Sequence, residues 1–138
     1  MAIWHSEILI TTSRLQSPPN DWNGQAGAAL DFWGVVRNVE DEREISGIEY
    51  EAHQVMAQHQ LEMIATTARA EFGLEQLMIH HRIGFVAAGE ASLFLRVASA
   101  HRAATLQGCA WIVTELKKKV PIWKRPLFVR QERAVAAE

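Results

Sequence analysis

The spacing of hydrophobic positions changes several times along this chain, and each change marks an element. Residues 7–12 form a short run rich in β-branched and aliphatic side chains, as a strand requires, and residues 17–21 are turn formers. Residues 27–36 begin with small side chains and end in Phe32-Trp33-Gly34-Val35-Val36, which predicts a second strand. The polar run at 38–44 reads as a turn, and residues 45–51 as a strand that returns beside the second in a hairpin. From Gln54 the period becomes helical. Leu61, Ile64, Ala65, Ala68 and Phe72 recur at intervals of three and four, so one stripe is buried, and Gly73 is a natural stop. Residues 77–82 and 91–98 are β-type runs separated by a glycine-containing connector at 83–89.

A second helix is expected from Ser99, a favourable N-cap, with Leu106, Cys109, Ala110, Val113, Leu116 and Val120 on its buried face. Pro121 ends it, because proline cannot supply the next backbone hydrogen bond. Strands and helices do not alternate as a doubly wound parallel sheet requires. The reading is one α+β domain over residues 1–138, a mostly antiparallel sheet with two main helices packed on it. Residues 131–138 are polar or small and read as a mobile tail.

Length and composition narrow the class. A chain of 138 residues buries roughly two thirds of its unfolded surface, enough for a core without disulfides or structural metal. Its single cysteine, Cys109, cannot form an internal disulfide and fits a reducing compartment. The first residues lack a basic region followed by an apolar stretch, and no run approaches the ~20 residues of a membrane span. The expectation is a cytoplasmic protein that does not engage a membrane.

Charge adds a direction. The formal net charge is only −2, but residues 31–62 carry eight acids against Arg37 and Arg43, a balance of −6. Residues 117–133 carry seven bases against Glu132, a balance of +6. Such asymmetry points to an anionic ligand or partner for the C-terminal part, or else to a solvated basic face. A nucleic-acid surface would also be basic, but the chain has no nucleic-acid-binding motif and is acidic overall.

Three basic positions are candidates for chemistry. Arg37 ends the strand at 27–36. His101-Arg102 stand at the start of the second helix, where free N–H groups and the positive end of the helix dipole favour anions, so cations there need a negative ligand. Lys117 and Lys124 flank a proline break and Trp123; two lysines partly desolvated by a tryptophan would have depressed pKa values suited to nucleophilic or acid–base work. Other candidates are weaker. His80 and His81 point to opposite faces of a strand and cannot ligate one metal, and His53 and His59 do not align on a helix. Cys109 on an apolar helix face reads as an inert core thiol. With one cysteine and no clustered carboxylate–histidine spacing no metal site is expected, and Gly84 and Gly89 form no phosphate or dinucleotide loop, so no cofactor is expected either. Arg96, within an apolar strand, is expected to face solvent or a subunit boundary.

Several segments, in order from residue 27 to 124, together resemble the large, catalytic subunit family of molybdopterin synthase. They are Gly27-Ala28 leading to Phe32-Trp33-Gly34-Val35-Val36-Arg37, then Ile48-Glu49-Tyr50-Glu51-Ala52 with Met56-Ala57. His81-Arg82-x-Gly84 with Gly89-Glu90, Ser99-Ala100-His101-Arg102, and Lys117-x-x-x-Pro121-Ile122-Trp123-Lys124 follow. The resemblance implies a fold of the α/β-hammerhead type and a homodimer that binds a small ubiquitin-like sulfur-carrier subunit at each end, a heterotetramer. It implies transfer of sulfur from the thiocarboxylated C-terminus of that subunit to cyclic pyranopterin monophosphate, building the dithiolene of molybdopterin. The family's functional residues fall here on Lys117 and Lys124 as catalytic groups, and on Arg37, His101 and Arg102 as substrate-binding groups. The chain departs from the family after Lys124, where Arg125-Pro126 stands in place of a basic residue followed by glutamate. That departure leaves room for a second expectation, a catalytically weakened member that serves as a binding module for a ubiquitin-like partner.

Overall fold

A computed structural model of the chain describes residues 4–22 and 24–129; the tail at 131–138 lies outside them. The elements in chain order are β1 (His5–Thr11), β2 (Ala28–Val35), β3 (Val39–Glu40), β4 (Arg43–Ala52), α1 (Gln54–Phe72), β5 (Gln76–Arg82), β6 (Gly84–Ala87), β7 (Ala91–Ser99), α2 (Arg102–Lys119) and β8 (Ile122–Phe128). One sheet has the order β1-β5-β7-β2, with only the β1–β5 pair parallel. The second is built on β4, which pairs with β3, β6 and β8, all antiparallel. The expected α+β class, two helices on a mostly antiparallel sheet, is what the chain forms.

The helical stripe of α1 is buried as its period predicts: Leu61, Ile64, Ala65 and Ala68 pack with Leu77, Ile79, Leu95 and Val97 of the first sheet and with Ile112 and Leu116 of α2. Truncating such a side chain to alanine typically costs ~2–5 kcal/mol. The helix is capped by His53, whose Nδ1 accepts from the Met56 N–H at 3.3 Å, and by Gly73 in the left-handed conformation. A smaller cluster of Val36, Ile45, Ile48 and Val86 sits under the second sheet.

Four expectations are corrected. The strands at 27–36 and 45–51 do not form a hairpin: β2 pairs with β7, and the tight hairpin is β3–β4, turning at Asp41 and Glu42, both with positive φ. The second helix begins at Arg102, not near Ser99, because Ser99 is still paired with Ala28 in the sheet. Its hydroxyl donates to the His101 carbonyl at 2.8 Å and lies 2.6 Å from the Thr105 hydroxyl. The buried face of α2 is Thr105, Gly108, Cys109, Ile112 and Leu116, while Leu106 and Ala110 are exposed. Gly108 faces the end of α1: a Cβ there would already touch Leu74 and Phe72 at 3.3 and 3.5 Å, so the absence of a side chain on α2 makes room for Phe72 and Leu74. Hydropathy favours leucine over threonine and therefore places the face one position off.

Arg96 is the fourth correction. It is only 1% exposed and faces neither solvent nor another subunit. Its Nε and NH2 groups donate to the two carboxylate oxygens of Asp31 at 2.7 and 2.9 Å, and NH1 donates to the Pro19 carbonyl at 3.0 Å. The hydrogen bonds that it donates to Asp31 raise its pKa further, so it stays charged.

Besides β3, two strands are unforeseen. β6 is four residues long in what reads as a connector. β8 contains Pro126 opposite Ile48, tolerated because β8 has a single neighbour, β4, and needs its donors on one side only.

Candidate active site

The two sheets meet where β2 runs out of the first and toward the second. A register shift between Gly34 and Val35 breaks the regular alternation of β2, and bulges of this kind re-aim the side chains beyond them. Gly34, Val35, Val36 and Arg37 all line one cavity as a result, which four consecutive residues of an unbroken strand would not do. Val36 is then pinned by exchange with the next turn, its N–H donating to Glu90 O at 2.9 Å and its carbonyl accepting from the Gly89 N–H at 2.8 Å.

The cavity holds about 440 Å³, within the range of small-molecule sites. Ile48 and Tyr50 come from β4, His81 from β5, Ser92 and Leu93 from β7, Leu116 and Lys117 from the end of α2, and Ile122 and Lys124 from β8. Three of the five candidate side chains, Arg37, Lys117 and Lys124, therefore share one concave surface although they stand on three separate parts of the chain.

Local sequence explains each placement. Lys117 is in the last turn of α2, where cations favour the helix C-terminus. Its neighbours Lys118 and Lys119 are drawn to Glu115 at 3.9 and 2.8 Å, whereas Lys117 has no ion pair among the described residues and lines the cavity. The Pro121 break turns the chain into β8, which zips onto β4 and sets Lys124 opposite Tyr50 and Trp123 opposite Glu51. Trp123 is 60% exposed and does not line the cavity, so it is neither core nor a desolvating wall for the lysines.

His101 and Arg102 lie elsewhere. They are at the N-terminal end of α2, both exposed, with no side-chain capping bond from His101. Lys117 follows Arg102 by fifteen residues, about 22 Å along a helix axis. One chain does not bring the five together.

Sequence reasoning missed four cavity residues. Glu40 was absorbed into a polar turn, yet it is the one carboxylate among the lining residues. Tyr50, His81 and Ser92 form a polar floor: the Tyr50 hydroxyl donates to Ser92 Oγ at 3.2 Å, and the Tyr50 and His81 rings meet edge-on with centroids 5.4 Å apart. The sequence carried little signal for His81, whose immediate neighbours His80 and Arg82 are polar; its burial follows from the place of β5 between β1 and β7. Burial lowers its pKa, a bond to the Arg82 carbonyl opposing this only in part, so the ring is neutral at pH 7. His80, on the other face, is bound to Glu7 at 2.6 Å. Cys109 is buried and its thiol pKa is pushed up, as suits an unreactive core residue. Among the described residues no cluster of three metal-ligating side chains occurs, and no helix is long and apolar enough to cross a membrane.

Comparison with known proteins places the chain. Residues 8–119 match the family model described as MoaE protein. The chain is 39% identical over 103 residues to a molybdopterin synthase catalytic subunit of Oryza sativa, covering 75% of this chain and 53% of that one. A protein of the same name from Thermoplasma volcanium is 36% identical over 103 residues, covering 75% of both chains. The chain thus spans about half the length of the plant relative and three quarters of the archaeal one. Among solved structures, molybdopterin synthase from Staphylococcus aureus superposes with a TM-score of 0.78 at 27% identity, covering 89% of this chain and 90% of that one. A shared fold, a family model that spans most of the described residues, and relatives above a third identical agree, and the chain belongs to the MoaE protein family.

Proposed function

We propose that this protein is a sulfurtransferase that moves sulfur from the thiocarboxylated C-terminus of a small ubiquitin-like subunit to cyclic pyranopterin monophosphate, forming the dithiolene of molybdopterin. The observation that carries this reading is the convergence of Arg37, Lys117 and Lys124 on one cavity of about 440 Å³. Both reactants are anionic, one a thiocarboxylate and the other a cyclic phosphate. A walled site focuses the field of cations onto such groups far better than an open surface does.

In this reading Arg37 binds phosphate oxygens through its planar fork. Lys117 meets the incoming tail, polarising the thiocarboxylate carbonyl or trapping the acyl group once sulfur has left. Lys124 stabilises negative charge or delivers a proton as the pterin ring opens. His101 and Arg102 cannot reach this cavity along their own chain. Their substrate-binding role therefore requires the expected homodimer, in which the helix start of one copy approaches the cavity of the other.

The test is reconstitution. Purified protein is mixed with thiocarboxylated small subunit and the pterin precursor, and molybdopterin is followed as its fluorescent oxidation product. Product is expected, with Lys117→Ala slowing formation at least ~100-fold, the usual effect of losing one preorganised charge-stabilising donor. A rate within about threefold of wild type, ~0.7 kcal/mol of barrier, would remove Lys117 from the mechanism. Absence of product despite a stable complex with the small subunit would make the chain a binding module instead.

A further inference from the structure

The cavity is chemically two-sided, and the proposed mechanism uses only one side. Its cations, Arg37, Lys117 and Lys124, are hydrogen-bond donors without acceptor capacity. The opposite requirement is met at the floor. The His81 Nδ1 lies 2.8 Å from the Arg82 carbonyl oxygen. A carbonyl can only accept, so Nδ1 carries the proton and donates, and in the neutral ring Nε2 must be the bare nitrogen.

Nε2 has no hydrogen-bond partner among the described residues. It is also not sealed in protein, since the sealed and unpaired side-chain atoms are Glu75 Oε2 and Arg82 Nε. His81 lines the cavity, so this free lone pair opens there. The ring is held on two sides, by the Arg82 carbonyl and by a T-shaped contact with the Tyr50 ring, which is itself tied to Ser92. An acceptor fixed in tautomer and orientation, in a cavity whose cations have no ion pair among the described residues, suits a ligand with an N–H or O–H donor at one end and negative charge at the other.

We infer that His81 is a specificity-determining residue whose Nε2 accepts a hydrogen bond from a ring N–H of the pterin while the cations hold its phosphate. The inference rests on the functional reading above and deepens it. It assigns the floor of the cavity to the heterocycle and the cationic rim to the phosphate and the thiocarboxylate. A phosphorylated ligand without ring N–H donors would leave Nε2 desolvated and unpaired, which is how such a site rejects near relatives of its substrate.

The experiment compares wild type, His81→Phe and His81→Gln in the reconstituted reaction, with thermal unfolding as the check on fold. His81→Phe keeps a planar side chain and removes the acceptor. It is expected to raise KM for the pterin precursor at least tenfold, with kcat changed much less and affinity for the small subunit unchanged. His81→Gln restores an acceptor oxygen and should recover part of the loss. A KM within twofold of wild type in a folded His81→Phe overturns the inference while leaving the functional reading intact. No product from wild type sinks both. A direct readout on the unaltered protein guards against a variant that fails to fold: with ¹⁵N-labelled histidine, the Nε2 resonance of His81 starts as that of an unprotonated nitrogen and moves upfield when the pterin precursor is added. An Nε2 that is already protonated, or that does not move at saturating precursor, overturns the inference equally.

Discussion

Arg102 opens α2 and Lys117 stands in its last turn, so the two are separated by about 22 Å of helix axis. If both serve one reaction, they serve it from different copies of the chain. Mixed dimers provide the check. Arg102→Ala and Lys117→Ala, each inactive alone, are unfolded and refolded together, which yields mixed dimers with one intact site. Activity should recover to roughly a quarter of wild type, since random pairing puts half the dimers in mixed form. Activity that stays at the level of the single variants would show that each copy works alone.

The Asp31–Arg96 pair calls for a stability measurement rather than an activity assay. Arg96 is 1% exposed and Asp31 supplies its only carboxylate among the described residues. Asp31→Asn leaves a buried guanidinium without its counter-charge, and such losses cost about 3–5 kcal/mol. Urea unfolding should show a loss near the lower end, because the Asp31 side chain is 32% exposed. A loss below ~1 kcal/mol would mean that the Pro19 carbonyl and water suffice.

Among the described residues Glu40 is the cavity's one carboxylate, and it lines the same space as Arg37, Lys117 and Lys124. A negative side chain there repels a phosphate. Glu40→Gln should lower KM for the pterin precursor about threefold at low salt, the ~0.7 kcal/mol expected of a partly exposed charge interaction. The gain should shrink as salt rises. An unchanged KM with kcat reduced more than tenfold would instead place Glu40 in the chemistry, in the part left open by Pro126.

His81 makes stability depend on pH. Burial holds its folded pKa below the 6.5 of an ordinary histidine. As pH falls through that ordinary value the unfolded chain takes up a proton first, so the folded state loses ground until its own, lower pKa is reached. Well above that ordinary value, where neither state binds the proton, the residue contributes no slope. Tyr50, Glu40, Arg37, Lys117 and Lys124 face the same cavity, and comparison with His81→Gln removes their shared contribution. The stability of wild type should drop between pH 7.5 and 5.5 by more than that of the variant. Parallel curves would show that the imidazole is not held neutral.

What the sequence reveals depends on how locally each feature is determined. The stripe from Leu61 to Phe72 is set by helical period alone, and α1 follows it closely. The hairpin expectation failed because β2 finds its partner sixty residues away in β7, and no local pattern encodes that choice. Pro126 hides β8, since proline speaks against a strand unless the strand is known to be an edge. At the site, Arg37, Lys117 and Lys124 were legible as basic residues at a strand end and around a proline break, and through the family resemblance, whereas Glu40 and His81 were not. A turn residue and a strand residue become neighbours of a cavity only after two sheets have met.

The pairing of β4 with β8 has a consequence for how the protein comes to be functional. Ala52 meets Ile122 and Ile45 meets Phe128, contacts spanning some seventy to eighty residues, and such long-range pairings are late and slow to form. Until that strand is laid down, one wall of the cavity and Lys124 are missing, whatever else of the fold has formed. A chain arrested at that stage would look largely folded to any probe of helix content yet have no enclosed site. A complete cavity thus depends on this long-range pairing, and helix content alone does not report whether it has formed.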